Sequence, residues 1–182
     1  MVLNVQEFAA QLQFGGARPT LFQVIINNPV NAAGDLKTPF MVKASQLPGS
    51  TLGQVEVPYM GRKLKIAGDR TFEEWTATII NDEDFLIRNA MEQWMNAINT
   101  HATNQREFGS ASPLLYKTQA VVSQLSKTGV TLREYTFSGL WPTNVAPIEL
   151  GWEQNDTIEE YQVTFAYDYW EVTGGVTGKS TS

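Results

Sequence analysis

Apolar and polar residues alternate with a period of two along much of this chain. Trp75, Ala77 and Ile79 fall on one face and Glu74, Thr76 and Thr78 on the other, the pattern of a half-buried strand. Between residues 158 and 170, Tyr161, Val163, Phe165, Tyr167 and Tyr169 alternate with Glu160, Gln162, Thr164, Ala166 and Asp168, which predicts one long strand. The β-branched and aromatic runs Leu21–Ile26, Phe40–Ala44, Ala120–Leu125 and Val130–Leu140 also read as strands. Within Val130–Phe137 the apolar parity switches between Leu132 and Tyr135, and a bulge near Arg133-Glu134 accounts for it. Val55–Met60 alternates as well, but Pro58 lacks an N–H and bars an uninterrupted central strand. Gly61 permits a bend. Arg62–Ile66 then resumes with Lys63 and Lys65 on one face and Leu64 and Ile66 on the other, before Gly68-Asp69 turns the chain.

One segment has a different period. Ile87, Ala90, Met91, Trp94, Met95 and Ile98 recur at three and four, predicting one α-helix over about residues 83–99. Asn81 or Asp82 suits its N-cap, with Glu83 and Asp84 at its positive end. The same acidic quartet resembles a metal loop, but the helix follows at once and leaves no further oxygen ligands in line. Val2, Leu3, Val5, Phe8, Ala9 and Leu12 suit a short amphipathic turn or helix broken by Gly15-Gly16, and this arm is expected either to extend onto a neighbouring copy or to be simply disordered. Residues 99–117 read as a polar surface loop. The chain divides into an arm (1–17), a β-domain (18–171) and a Gly/Ser/Thr tail (172–182) expected to be flexible. The fold class is mainly β: an antiparallel sandwich or barrel-like domain with one helix.

Composition narrows the chemistry. With 182 residues the chain fits one domain, and it holds no cysteine and one histidine, His101. A disulfide scaffold, a zinc–thiolate site, an iron–sulfur cluster, a cysteine nucleophile and a multi-histidine metal site are therefore excluded. Charged residues are only 18% of the chain, against five Trp, six Tyr and nine Phe, so some surface is expected to meet protein rather than water. No apolar run is long enough for a membrane helix, and Met1 to Phe14 lacks the basic start of a signal peptide. The chain is expected to be made in a reducing cytoplasm.

No catalytic signature emerges. Gly174 to Ser180 ends like a phosphate loop, but position 173 is Thr rather than Gly and no helix follows. His101 lies in a polar loop, and no serine has the nucleophile elbow around it. Glu73-Glu74 and Glu159-Glu160 are neighbours on strands, so each pair points to opposite faces. Asn155-Asp156-Thr157 fits a glycosylation acceptor that only a secreted protein would use. Carboxylates converging from separate strands remain open.

Charge is unevenly distributed. The net charge is −6, which argues against a protein gripping nucleic acid over its whole surface. Arg62, Lys63, Lys65 and Arg70 crowd four cations into nine positions, whereas Glu134 to Gly178 holds eight acids and no Lys or Arg. A chain built this way can pair with copies of itself, and two solvated faces are the plainer alternative.

Several stretches, in order, carry a resemblance. They are Ala17-Arg18-Pro19-Thr20-Leu21-Phe22, Lys43-Ala44-Ser45-Gln46-Leu47-Pro48, the run from Met60-Gly61-Arg62-Lys63 to Phe72-Glu73-Glu74-Trp75, Gly139-Leu140-Trp141-Pro142-Thr143-Asn144-Val145 and Ala166-Tyr167-Asp168-Tyr169-Trp170-Glu171. Across roughly residues 17–171 the chain resembles the tail tube proteins of T-even-like contractile-tailed bacteriophages. The segment Asn27–Lys37 and the tail after Glu171 depart from that pattern.

The resemblance implies a non-enzymatic virion protein with no cofactor, assembled in the host cytoplasm. It implies hexameric rings, each joining four strands per subunit into a barrel around a lumen, stacked into a hollow tube that crosses the host envelope. The implied partners are further copies of the chain, a tail sheath protein outside, and baseplate and tail terminator proteins at the ends. A tape measure protein and DNA would occupy the lumen transiently, with no stable nucleic-acid binding. Within that frame Arg62, Lys63, Lys65, Arg70, Trp141 and Trp170 are expected at inter-subunit contacts, although large aromatics at strand ends usually pack the core. Glu134, Glu159, Glu160 and Asp168 are expected to line the lumen or meet the basic stretch. A tube subunit of an injection or secretion machine is the related alternative. A monomeric carbohydrate-binding β-sandwich and a carboxylate hydrolase are the alternatives of other classes.

Overall fold

The computed structural model describes residues 4–12, 16–106 and 112–179. Its longest element is the strand β7, Thr131–Val145. Strand β6 (Thr118–Leu125) runs antiparallel to β7 from Thr131 to Leu140. Strand β9 (Tyr169–Gly174) pairs with Glu134–Ser138 along the opposite edge, and β8 (Glu160–Ala166) pairs with Trp141–Val145. Strand β1 (Phe22–Ile26) extends the first half-sheet beyond β6. Strands β5 (Trp75–Ile80) and β2 (Val42–Ser45) extend the second beyond β8. One strand thus belongs to two antiparallel half-sheets.

The two half-sheets bury their apolar faces against each other. Trp75 of β5 lies 4.8 Å from Phe137 of β7 and 5.3 Å from Phe165 of β8, between ring centroids. Val24, Ala77, Ile79, Val163 and Leu140 complete a core closed to solvent. The alternation expected of Trp75–Ile79 and Tyr161–Phe165 is met in β5 and β8. The bulge is met too. Leu132 is skipped where β7 pairs with β6, and the β9 register shifts between Glu134 and Tyr135.

Helical elements connect and flank these strands. Helix α1 (Val5–Gln11) precedes it, helix α2 (Thr38–Met41) leads into β2, helix α3 (Leu86–Ile98) is the main helix, and α4 (Pro113–Tyr116) precedes β6. Trp94 of α3 packs 6.5 Å from the Phe165 ring and donates its indole N–H to the Tyr116 carbonyl at 2.9 Å. A 3₁₀ turn at Ala32–Gly34, capped by Asn31, also touches α3.

Several expectations need correction. Among the described residues the main helix is joined by α2, α4 and the 3₁₀ turn, and by α1, which meets the short amphipathic helix expected of the arm. Phe40 and Met41 are helical rather than strand, because Pro39 starts a single helical turn that ends where β2 begins. Helix α3 spans 86–98, not 83–99, and neither Asn81 nor Asp82 caps it. Asn81 is bonded to Glu159, and Phe85 takes the cap position in the left-handed conformation at φ 50°. The strand expected over 158–170 breaks at Tyr167-Asp168 into β8 and β9, each serving a different half-sheet. Gly68-Asp69 does not turn the chain but lies within a strand that runs on to Thr71. Strand β9 runs on to Gly174, after which Val176 and Thr177 donate their N–H groups to the Thr131 and Leu132 carbonyls. Val2, Leu3, Gly15, Gly109, Ser110 and residues 180–182 lie outside the described residues.

Candidate assembly surface

Strands β3 (Thr51–Tyr59) and β4 (Arg62–Thr71) form a separate two-stranded sheet. Met60 and Gly61, at φ 44° and 79°, make its two-residue turn, a geometry that glycine accepts without strain. The pairing sets the faces. Val55 lies opposite Ile66 and Val57 opposite Leu64, whereas Glu56 lies opposite Lys65 and Pro58 opposite Lys63. The hairpin therefore has an aliphatic face and a charged face, as the alternation around Lys63 and Lys65 predicts. Neither is covered: every residue of the hairpin is exposed except Gly68, which is half-buried. Leu64 is 62% exposed and Tyr59 70%. Two-stranded ribbons are marginal alone in water, and an open aliphatic face is the usual mark of a protein–protein surface.

The expected contact residues divide into two groups. Arg62, Lys63, Lys65 and Arg70 all sit on β4 in this hairpin, with Lys63 paired to Glu56 at 2.6 Å. Trp141 and Trp170 sit on the body, half-buried against the core. Trp141 meets Tyr116 edge-on, and Trp170 meets Tyr135 edge-on while donating its indole N–H to the Gly49 carbonyl at 3.0 Å.

The four expected acids are spread over the body. Glu134 accepts from the Thr173 hydroxyl at 3.0 Å, and Glu159 accepts from the Asn81 side-chain amide at 2.8 Å. Glu160 pairs with Lys43 and Asp168 with Lys117. Within one protomer the acidic and basic sets are thus not joined.

Some features had little signal in the sequence. Lys37 bridges Asp82 and Asp84, and these hydrogen bonds hold both carboxyls below the usual aspartate range and the Lys37 ammonium above its own. The acidic stretch expected as a solvated cap is in fact clamped by a lysine from the Asn27–Lys37 segment. Asn28, buried in that segment, donates to the Ala90 carbonyl of α3 at 2.9 Å and accepts from the Val30 and Asn31 N–H groups. Burial pushes the Asp35 carboxyl up, against the Asn28 N–H that pulls it down. Between β7 and β8 a loop exposes Leu150, Trp152 and Ile158 beside an acidic groove of about 990 Å³ that includes Glu149, Asp156 and Glu159. Leu150, Trp152 and Ile158, interspersed with Glu149, Glu153 and Asp156, are the sequence cue to that surface.

The family model for phage tail tube protein matches residues 4–173. The chain belongs to that family. It is a structural component of a phage tail, as the resemblance implied. The tail tube protein gp19 of Enterobacteria phage T4 is 38% identical over 156 residues, covering 85% of this chain and 91% of its own length. Among solved structures, the tube-terminating cap of the anti-feeding prophage aligns with a TM-score of 0.65 at 18% identity, over 88% of this chain and 92% of its own. The sheath–tube complex of an extracellular contractile injection system aligns with a TM-score of 0.61 at 16% identity, over 95% and 99%. These two likenesses show a shared fold.

Proposed function

We propose that this chain forms hexameric rings that stack into the inner tube of a contractile phage tail, and that the tube conducts DNA through the host envelope. The observation that carries this reading is the β3–β4 hairpin, whose aliphatic face none of the described residues covers. A neighbouring copy removes that exposure, and ring closure likewise satisfies the free edges of the half-sheets. Arg62, Lys63, Lys65 and Arg70 meet a neighbouring subunit or ring. Glu134, Glu159, Glu160 and Asp168 line the lumen or face those cations. An acidic lumen suits transit, because each cationic phosphate contact would add adhesion through counterion release. Trp141 and Trp170 support the contact regions from within the protomer. The role involves no catalysis and no cofactor, in keeping with a structural family.

The sheath outside and the baseplate and terminator at the ends complete the particle, with tape measure protein and DNA in the lumen. Electron microscopy of the purified chain at high concentration tests the reading. Rings or tubes with a sixfold end view are expected. A single small species at every concentration would overturn it and favour a monomeric binding module.

A further inference from the structure

Helix α1 is amphipathic and buries none of its residues among the described residues. Val5, Phe8, Ala9 and Leu12 share one of its faces, yet no residue of the helix is buried, and Phe8 is 66% exposed. A groove of about 690 Å³ opens elsewhere on the same chain, lined mainly by Leu21, Leu125, Val130, Leu132 and Val176. Its charged lining residues are Arg18 and Lys127, both cationic. The single charge on the described part of the arm is Glu7. Shape, apolarity and charge are therefore complementary.

Gly16, which follows the arm, itself lines the groove. Gly16 lies four residues on from Leu12, a span of at most roughly 14 Å when extended, and the Leu12 side chain comes within 3.9 Å of the Cβ position of Gly16. The helix is thus tethered beside its own groove, yet none of its residues is among those that line it. We propose that the groove receives α1 of a second copy of this chain, with Phe8 and Leu12 against Val130 and Val176 and Glu7 facing Arg18 and Lys127. This rests on the assembly reading above and adds a second contact to it. The hairpin presents a flat strand surface, whereas the arm inserts a helix into a groove.

The absence of cysteine gives a clean test. Full-length Phe8→Cys and Val130→Cys chains are mixed, assembled and mildly oxidised. A covalent heterodimer in the assembled particles, absent when Leu150→Cys replaces Val130→Cys, supports the proposal. Adding Glu7→Lys to the Phe8→Cys chain should largely remove the band. Leu12→Cys with Val176→Cys repeats the test if the first pair fails to assemble. Particles without the heterodimer overturn the docking and leave the assembly reading standing. A Phe8→Cys/Val130→Cys double variant that closes only within its own chain overturns the second-copy assignment. An unmodified chain that forms no particles overturns both.

Discussion

A Cβ placed on Gly139 would lie 2.1 Å from one carboxylate oxygen of Asp168. Gly139 stands at φ 70°, where β7 passes from its pairing with β6 and β9 to its pairing with β8. Asp168 sits at the matching break between β8 and β9. Its N–H donates to the Ser138 carbonyl at 2.9 Å, and its carboxylate pairs with Lys117 at 2.6 Å. The two breaks form one corner, and the glycine leaves the space that the carboxylate fills.

Gly139→Ala should therefore destabilise the protomer. The left-handed backbone costs a non-glycine residue about 1–2 kcal/mol, and displacing Asp168 from Lys117 adds up to roughly 1 kcal/mol for a half-exposed pair. A loss of about 2 kcal/mol corresponds to a fall of roughly 4–8 °C in melting temperature for a domain of this size. Asp168→Ala in the same background should recover none of the backbone component. A thermal melt unchanged by Gly139→Ala would contradict this account of the corner.

Leu64→Asp should separate assembly from folding. The side chain is exposed on the hairpin, so protomer stability should change by no more than about 0.5 kcal/mol. Tube formation should be lost, because a carboxylate would then enter the aliphatic contact unpaired. Lys63→Glu/Lys65→Glu should act on assembly in the same direction through charge. Chemical denaturation with electron microscopy of the same samples reads both effects. Normal tubes from Leu64→Asp would remove the aliphatic face from the interface, and normal tubes from the lysine variant would remove the charged face.

The Lys37 clamp predicts a pH dependence. Asp82 and Asp84 are held below their ordinary value of 3.8, so their contribution is present above that value and fades as pH falls through their lowered values. Lys37 is raised, so its contribution is lost only at strongly alkaline pH. Lys37→Met should be less stable than the parent at neutral pH, and the two should converge in strong acid. Urea denaturation at pH 7 and near pH 2 checks this. A constant difference across that range would dissociate the lysine from both carboxylates.

Tyr161 predicts the opposite limb. Burial pushes its phenol well above 10, and the Arg88 guanidinium, 5.0 Å from the ring, offsets this only in part. The unfolded chain ionises near pH 10 while the folded chain does not, so stability is held below that pH and declines above it. The buried hydroxyl also has no hydrogen-bond partner among the described residues. Tyr161→Phe should be equal to or about 1 kcal/mol more stable than the parent at neutral pH, and its stability should decline less above pH 10. Denaturation curves at pH 8 and pH 11 provide the comparison.

The strands whose two faces meet different surroundings were readable from residue order. Trp75–Ile79 and Tyr161–Phe165 alternate because one side meets the core and the other does not. Alternation alone could not show that Tyr167-Asp168 changes half-sheets, because the break depends on Gly139 in a different strand. Phe40 and Met41 carry strand propensity but yield to the turn that Pro39 begins. The left-handed Phe85 replaced a cap that Asn81 or Asp82 suited by residue type, since those side chains had distant partners in Glu159 and Lys37. The hairpin's alternation was legible, but its isolation from the core was not: Leu64 and Ile66 look the same in sequence whether they face a core or open surface. The cations were found together because they are close in sequence. The acids are dispersed because they sit on separate elements.

The double membership of β7 also governs how the protomer can come apart. A tear between the half-sheets must run along or across this one strand, since each half loses its shared member if β7 leaves. Amide protons of β6, β8 and β9 should therefore exchange through a common opening, not sheet by sheet. The separately paired β3–β4 hairpin can open earlier. Such a subunit would stay in one piece under axial load while its exposed ribbon adjusts.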